Sequence, residues 1–206
     1  MDGNRRWATS RLPKLMGHKY FENVKNLITS AIKFDIDYIT LWALSVDNLN
    51  KRDSEEIKHL IKLINNIEKY IEFFKQNIVF KVIDIKKLPL KTQEILNIVK
   101  KTSNNSGLVF TVSLVYQDEI IRATKKIIKA NIDPETLTRE EFRKYLDTSF
   151  LPNPDLIIRT DKRHSFLLYD SEYSEYYFTE KKWPEFDEKE LLKAIDFFKN
   201  SKRNFK

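Results

Sequence analysis

The chain has 206 residues, room for one sizeable hydrophobic core and too few for two. With 41% hydrophobic and 33% charged residues and no apolar run near the ~18 residues of a membrane span, it reads as a soluble globular protein. The absence of cysteine excludes disulfides and thiolate metal sites, and no basic, then apolar leader precedes the polar opening, so a cytoplasmic location is expected.

The formal net charge of +7 would suit nucleic acid, anionic lipid or phosphorylated small molecules. The basic residues are spread along the chain, and the aromatics of "YSEYYF" and "FLLY" are not interleaved with Lys and Arg as a base-stacking platform requires. A nucleic-acid partner is therefore not expected. Phosphate affinity has to be argued from particular residues.

The opening "MDGNRRWATSR" sets Asp2, Gly3, Asn4, Arg5, Arg6 and Trp7 ahead of any apolar run. It reads as a loop entering a helix, where free backbone N–H groups and the helix dipole favour an anion. Gly3 would allow close backbone approach, Arg6 could fork onto phosphate oxygens, and Asp2 offers the hard oxygens that Mg2+ prefers. On these residues alone a solvated polar N-terminus reads equally well.

Further along, a helix fits Phe21 to Lys33 and a strand Tyr38 to Ser45. Ile57, Leu60, Ile61, Ile64, Ile67, Ile71 and Phe74, spaced by three and four, then predict one long amphipathic helix after Asp53 and Glu56 in capping-box register. Strands follow at Ile78 to Ile85, Leu108 to Val115 and Asp155 to Arg159, with helices at Thr92 to Lys101, Asp118 to Ala130, Arg139 to Asp147 and Asp187 to Asn200. Strands alternating with helices imply an α/β fold, one domain over residues 1–206 around a mostly parallel sheet. Ligands of such sheets bind beyond the carboxyl ends of the strands, which directs attention to Ser45, Asp47 and Asn48 after the first strand and to Arg159 at the end of the last.

Taken in order, "MDGNRRWA", "GHK" at Gly17 to Lys19, "LSVDN" at Leu44 to Asn48, "DEIIRA" at Asp118 to Ala123, and "PDLIIRT" through "FLLYDSEYSEYYFTEKKWPEF" resemble the motifs of the cis-prenyltransferases, the undecaprenyl and polyprenyl diphosphate synthases. The resemblance implies a parallel sheet of about six strands ringed by helices, usually dimeric. It implies an enzyme that condenses isopentenyl diphosphate with an allylic diphosphate, typically farnesyl diphosphate, to a long-chain cis-polyprenyl diphosphate, the lipid carrier of glycan assembly. The product would partition to the membrane.

By resemblance, Asp2 holds Mg2+. The backbone of Gly3, Asn4 and Arg5, with Arg6, Trp7, Lys14 and His18, binds the allylic substrate. Ser45 and Asn48 stand at the reaction centre. Lys51, Arg159, Arg163 and Ser165 bind diphosphate, and Glu175 helps hold the metal. The apolar faces of Phe21 to Ile32 and Ile57 to Phe74 are candidates for a tunnel around the growing chain, or for ordinary core.

Several positions depart from the family pattern. Lys51 and Lys14 stand where arginine is expected, so a point charge replaces a bidentate fork unless Arg52 takes over. The paired glycines of "NYGGR" and "RTGGE" are gone, and "RTDKRHSF" is shortened. The family's strand "H-x-A-x-I" ahead of the aspartate has no counterpart before Met1, so an N-terminal strand is expected to be missing. These losses keep open an alternative, a catalytically weak subunit acting through a partner. His59 and His164 are expected to be a surface or satisfied residue and a spacer, respectively.

Overall fold

The computed structural model describes residues 3, 4, 7, 16–44, 46–114, 118–160, 167 and 169–202, with side chains excepted at 16–21, 46–48 and 114. In chain order these form α1 (Met16–Lys33), β1 (Tyr38–Leu44), α2 (Val46–Lys51), α3 (Ser54–Asn65), α4 (Ile71–Phe74) and β2 (Ile78–Ile83). Then come α5 (Leu90–Thr102), β3 (Leu108–Leu114), α6 (Glu119–Lys129), α7 (Arg139–Lys144), β4 (Leu156–Arg159), β5 (Glu175–Phe178) and α8 (Glu188–Asn200).

The α/β class is as expected. The strand count is not: five strands are described instead of about six, in two parallel sheets ordered β1-β3-β2 and β4-β5. The edges of β1 and β4 face each other across a cavity of about 510 Å³. Residues 35–42 on one side and 151–160 on the other line it as unbroken runs, so the strands turn their edges, not their side-chain faces, toward it. No described strand of this chain lies between them.

The expected long helix is divided. Asp53 caps α3 by accepting the Glu55 N–H, but at Asn65 and Asn66 the chain tightens into a 3₁₀ segment, Asn66–Tyr70, before α4 resumes. Spacings of three and four fit either helix type, and asparagine is a weak helix former whose side chain competes for backbone bonds. A capping-box role for Glu56 gives way to an ion pair with Arg52 at 2.8 Å.

The core lies between β1-β3-β2 and helices α1, α3, α4 and α5. Phe74, Phe80 and Phe110 are at most 1% exposed at its centre, their ring centroids 5.3 to 6.0 Å apart. Farther along the same sheet face, Val82 and Val112 are only half-buried, as are Leu60, Ile61 and Ile64 of α3. Among the described residues no helix is long and apolar enough to cross a membrane.

With only three glycines in the chain, most described left-handed positions fall to other residues: Asp35, Asn77, Asp84 and Asn131, whose short polar side chains tolerate that region best, and Leu167. Gly3 and Gly107 take the others, and at Gly107 no other residue would fit. Its φ is +98°, and a Cβ there would overlap the carbonyl of Asn77, which accepts the Leu108 N–H at 3.0 Å. Gly107→Ala is expected to cost about 2–4 kcal/mol, read as a lowered urea midpoint with unchanged slope. A midpoint equal to wild type would refute the overlap.

Candidate functional site

Of the polar residues chosen at the strand ends, Arg159 has its side chain described, at the carboxyl end of a parallel strand, the end where such sheets bind ligands. Gly3 has φ +81° and accepts the Trp7 N–H at 2.9 Å, so the N-terminal stretch does enter a helical turn. A Cβ on Gly3 would come within 2.9 Å of Lys182 Cγ, which sets this turn against the segment that follows β5. Trp7 is buried, and so is Trp183, whose carbonyl accepts a bond from Asn23 of α1 at 2.8 Å.

Arg159 closes β4. Its carbonyl accepts the Thr179 N–H at 2.8 Å, and its guanidinium lies over the Trp42 ring, 5.7 Å from the centroid, across the cleft between the sheets. Lys51 ends α2 and is exposed. Arg52, the alternative to Lys51, is held by Glu56 and points its charge into that pair. Glu175 opens β5 in register with Leu156, whereas Arg159 is in register with Phe178. Three strand residues, roughly 10 Å, therefore separate the rows of Glu175 and Arg159, and one chain does not bring the two together.

Asp2, Arg5, Arg6, Lys14, Ser45, Arg163 and Ser165 lie outside the described residues. His18 and Asn48 lie on the described backbone of α1 and α2, with their side chains outside the description. The short helix α2, Val46–Lys51, is a finding: the sequence reading assigned no element to these residues. His59 is exposed, as expected, and His164 is outside the description.

Sequence reasoning also missed a charged cluster beyond the ends of β2 and β3. Arg122 of α6 forms an ion pair with Asp84 at 2.6 Å and donates to Asp147 at 2.7 Å, and Lys126 also reaches Asp147 at 2.7 Å. Nearby, buried Glu119 accepts the Thr148 N–H at 2.8 Å. The only signal was "DEIIRA" itself, which placed Arg122 one turn from Glu119 without naming their partners.

Burial pushes Asp84 above the usual carboxylate range, with the Arg122 charge pulling against it. Burial works against ionised Asp147 too, but hydrogen bonds from Lys126 and Arg122 outweigh it and hold that carboxyl low. A depressed carboxyl contributes stability that is complete above its unfolded pKa of about 3.9 and lost as the pH falls through the folded value. Asp84, being raised, has the opposite sign. The stability gap between wild type and Asp147→Asn should therefore begin to narrow below about pH 5 and go on narrowing below about pH 3.9; a gap that stays constant in denaturant titrations would show that Asp147 is not so held.

Among the described residues no three carboxylates or imidazoles gather into a metal nest. Mg2+ takes one or two carboxylates plus substrate phosphates and seldom an all-protein cage, so a donor set of Asp2, Glu175 and diphosphate oxygens fits it in kind.

The family model described as "Putative undecaprenyl diphosphate synthase" matches residues 1–206. An isoprenyl transferase of Clostridium tetani is 39% identical over 220 aligned positions, covering all of this chain and 86% of its own length. One from Wolinella succinogenes is 38% identical over 216, covering all of this chain and 93% of its own. Among solved structures, the lavandulyl diphosphate synthase of Lavandula x intermedia, in complex with dimethylallyl diphosphate, superposes with a TM-score of 0.90 at 27% identity, over 99% of this chain and 94% of that one.

Proposed function

Since the chain belongs to the cis-prenyltransferase family, we propose that it condenses isopentenyl diphosphate with an allylic diphosphate, farnesyl diphosphate in the first instance. Repeated cycles would give a long-chain cis-polyprenyl diphosphate, a lipid carrier precursor for glycan synthesis. The observation that carries the reading is Arg159, a guanidinium at the carboxyl end of a parallel strand, in a chain matched to the family over its whole length.

In the reaction the allylic C1–O bond breaks, a bond forms between C1 and C4 of isopentenyl diphosphate, and a proton leaves C2 of the acceptor. Negative charge grows on the departing diphosphate, so preorganised donors there lower the barrier most. The amides of Gly3, Asn4 and Arg5 and the side chains of Arg6, Lys14 and His18 would supply them, with Trp7 packing the turn. Arg159, Arg163, Ser165 and Lys51 would hold the acceptor diphosphate so that C4 faces C1, a matter of position. Ser45 and Asn48 would orient the acceptor and the proton loss.

Asp2 and Glu175 are the carboxylates we assign to Mg2+, which when bound neutralises diphosphate charge. The apolar faces of α1, α3 and α4 would enclose the growing chain. We further propose a cytoplasmic homodimer whose product passes to the membrane.

The test is Mg2+-dependent incorporation of labelled isopentenyl diphosphate into organic-extractable product, primed with farnesyl or geranylgeranyl diphosphate. A folded protein that incorporates nothing would sink the reading. The glycine-poor loops and the Arg52–Glu56 pair favour one alternative, a catalytically weak subunit. Activity that appears only with a co-expressed partner would decide for it.

A further inference from the structure

We infer that Trp42 is a positioning residue that ties the acceptor site to the end of β1, directly ahead of the reaction-centre residues, through one indole. The inference rests on the reading above that Arg159 holds isopentenyl diphosphate.

The ladder between β1 and β3 breaks at the end of β1. Trp42 is in register with Ser113 and Leu44 with Leu114, so Ala43 is the extra residue of a β-bulge. Bulges leave a residue out of the ladder and re-aim the chain, and they recur beside active sites for that reason. Here the indole N–H spans the bulge and donates to the carbonyl of Leu44 at 2.8 Å. That carbonyl belongs to the peptide bond that joins Leu44 to Ser45, so the indole fixes the plane in which the chain leaves the strand.

The same ring presents its face to the Arg159 guanidinium at 5.7 Å, inside the range of cation–π attraction. It does so across the cavity between the two sheets, whose lining includes both Trp42 and Arg159. Over a rigid ring with two χ angles the guanidinium is presented in fewer rotamers, and less ordering is left for the substrate to impose.

Only tryptophan performs both tasks. Phenylalanine keeps the face and loses the donor; leucine loses both. Packing alone would also bury an indole beside some acceptor, but it would not divide binding from turnover, and on that division the two readings differ.

The experiment measures binding of isopentenyl diphosphate by calorimetry and steady-state kinetics for wild type, Trp42→Phe and Trp42→Leu, with unfolding midpoints alongside. Trp42→Phe should bind isopentenyl diphosphate within about twofold of wild type, while kcat falls on the order of tenfold. Trp42→Leu should in addition weaken isopentenyl diphosphate binding on the order of tenfold, with KM for the allylic diphosphate unchanged. Trp42→Leu combined with Arg159→Lys should weaken binding by less than the product of the single effects.

Equal losses in every parameter for the two Trp42 variants, or wild-type binding in Trp42→Leu, overturn the positioning role and leave the proposed activity standing. A wild-type protein that neither binds nor incorporates isopentenyl diphosphate overturns both. Should Trp42→Leu fail to fold, Trp42→Phe decides alone: unchanged kcat refutes the inference.

Discussion

Asp2→Ala is expected to lower the rate of isopentenyl incorporation on the order of a hundred- to a thousandfold, the loss typical of removing a group that meets charge formed only in the transition state. On the proposed function the allylic diphosphate would leave with its charge at the N-terminal turn, which begins at Gly3 with φ +81°. Without the Asp2 carboxylate the metal would be held by the diphosphate itself and misplaced relative to the donors of that turn. Since an error of about 1 Å can cost on the order of a hundredfold, added Mg2+ should not restore the rate. An unfolding midpoint measured alongside separates a loss of chemistry from a loss of folding. Retention of a tenth of the wild-type rate at saturating substrates would remove Asp2 from the metal site.

Phe110→Ala should have two separable effects. It removes a ring that is 1% exposed and lies 5.8 Å from Phe80 and 6.0 Å from Phe74, centroid to centroid, so about 3–5 kcal/mol of stability is lost. It should also lengthen the product. Val82 and Val112 are half-buried on the helix-covered face of the sheet, one side-chain row nearer the carboxyl ends than Phe80 and Phe110. An apolar cleft along α3 would therefore close on the three rings.

From Leu114 down to Phe110 the strand spans about 13 Å, so the first few isoprene units of a chain entering at the strand ends would reach the rings, and a longer product would have to turn along them. Opening that floor should move the chain-length distribution by at least one unit, assayed at a temperature where the variant is folded. A folded, active Phe110→Ala enzyme with the wild-type distribution would show that the chain ends elsewhere.

The four strands read from β-branched runs are all present, as are α5, α6, α7 and α8 within three residues at each end, while α1 begins at Met16, ahead of the expected Phe21. These elements carry their own signal, since the buried face repeats at the period of the element. β5 was not legible because "EYYF" is four residues long and none of them is fully buried, so nothing alternates. The short helix α2 was hidden inside the strand-end motif, and the 3₁₀ segment at Asn66–Tyr70 keeps the spacing of the helix that it interrupts.

The candidate site divides the same way. Arg159 was legible because a charge that closes an apolar strand stands out in one dimension. Trp42 was not, for it is one aromatic in an apolar strand until β4 is set opposite, and neither was the Asp84–Arg122–Asp147 cluster, whose members come from three distant segments.

The sheet order β1-β3-β2 has a consequence for how the protein is made. The strand that joins the other two is the last of the three to be synthesised. Until residues 108–114 leave the ribosome, β1 and β2 have no central partner, and Phe80 has no Phe110 to close over it. Parallel pairing already demands distant contacts and so folds slowly. Here the nascent chain carries two waiting apolar strands through much of its elongation, the state in which chains are most open to aggregation and most dependent on chaperones.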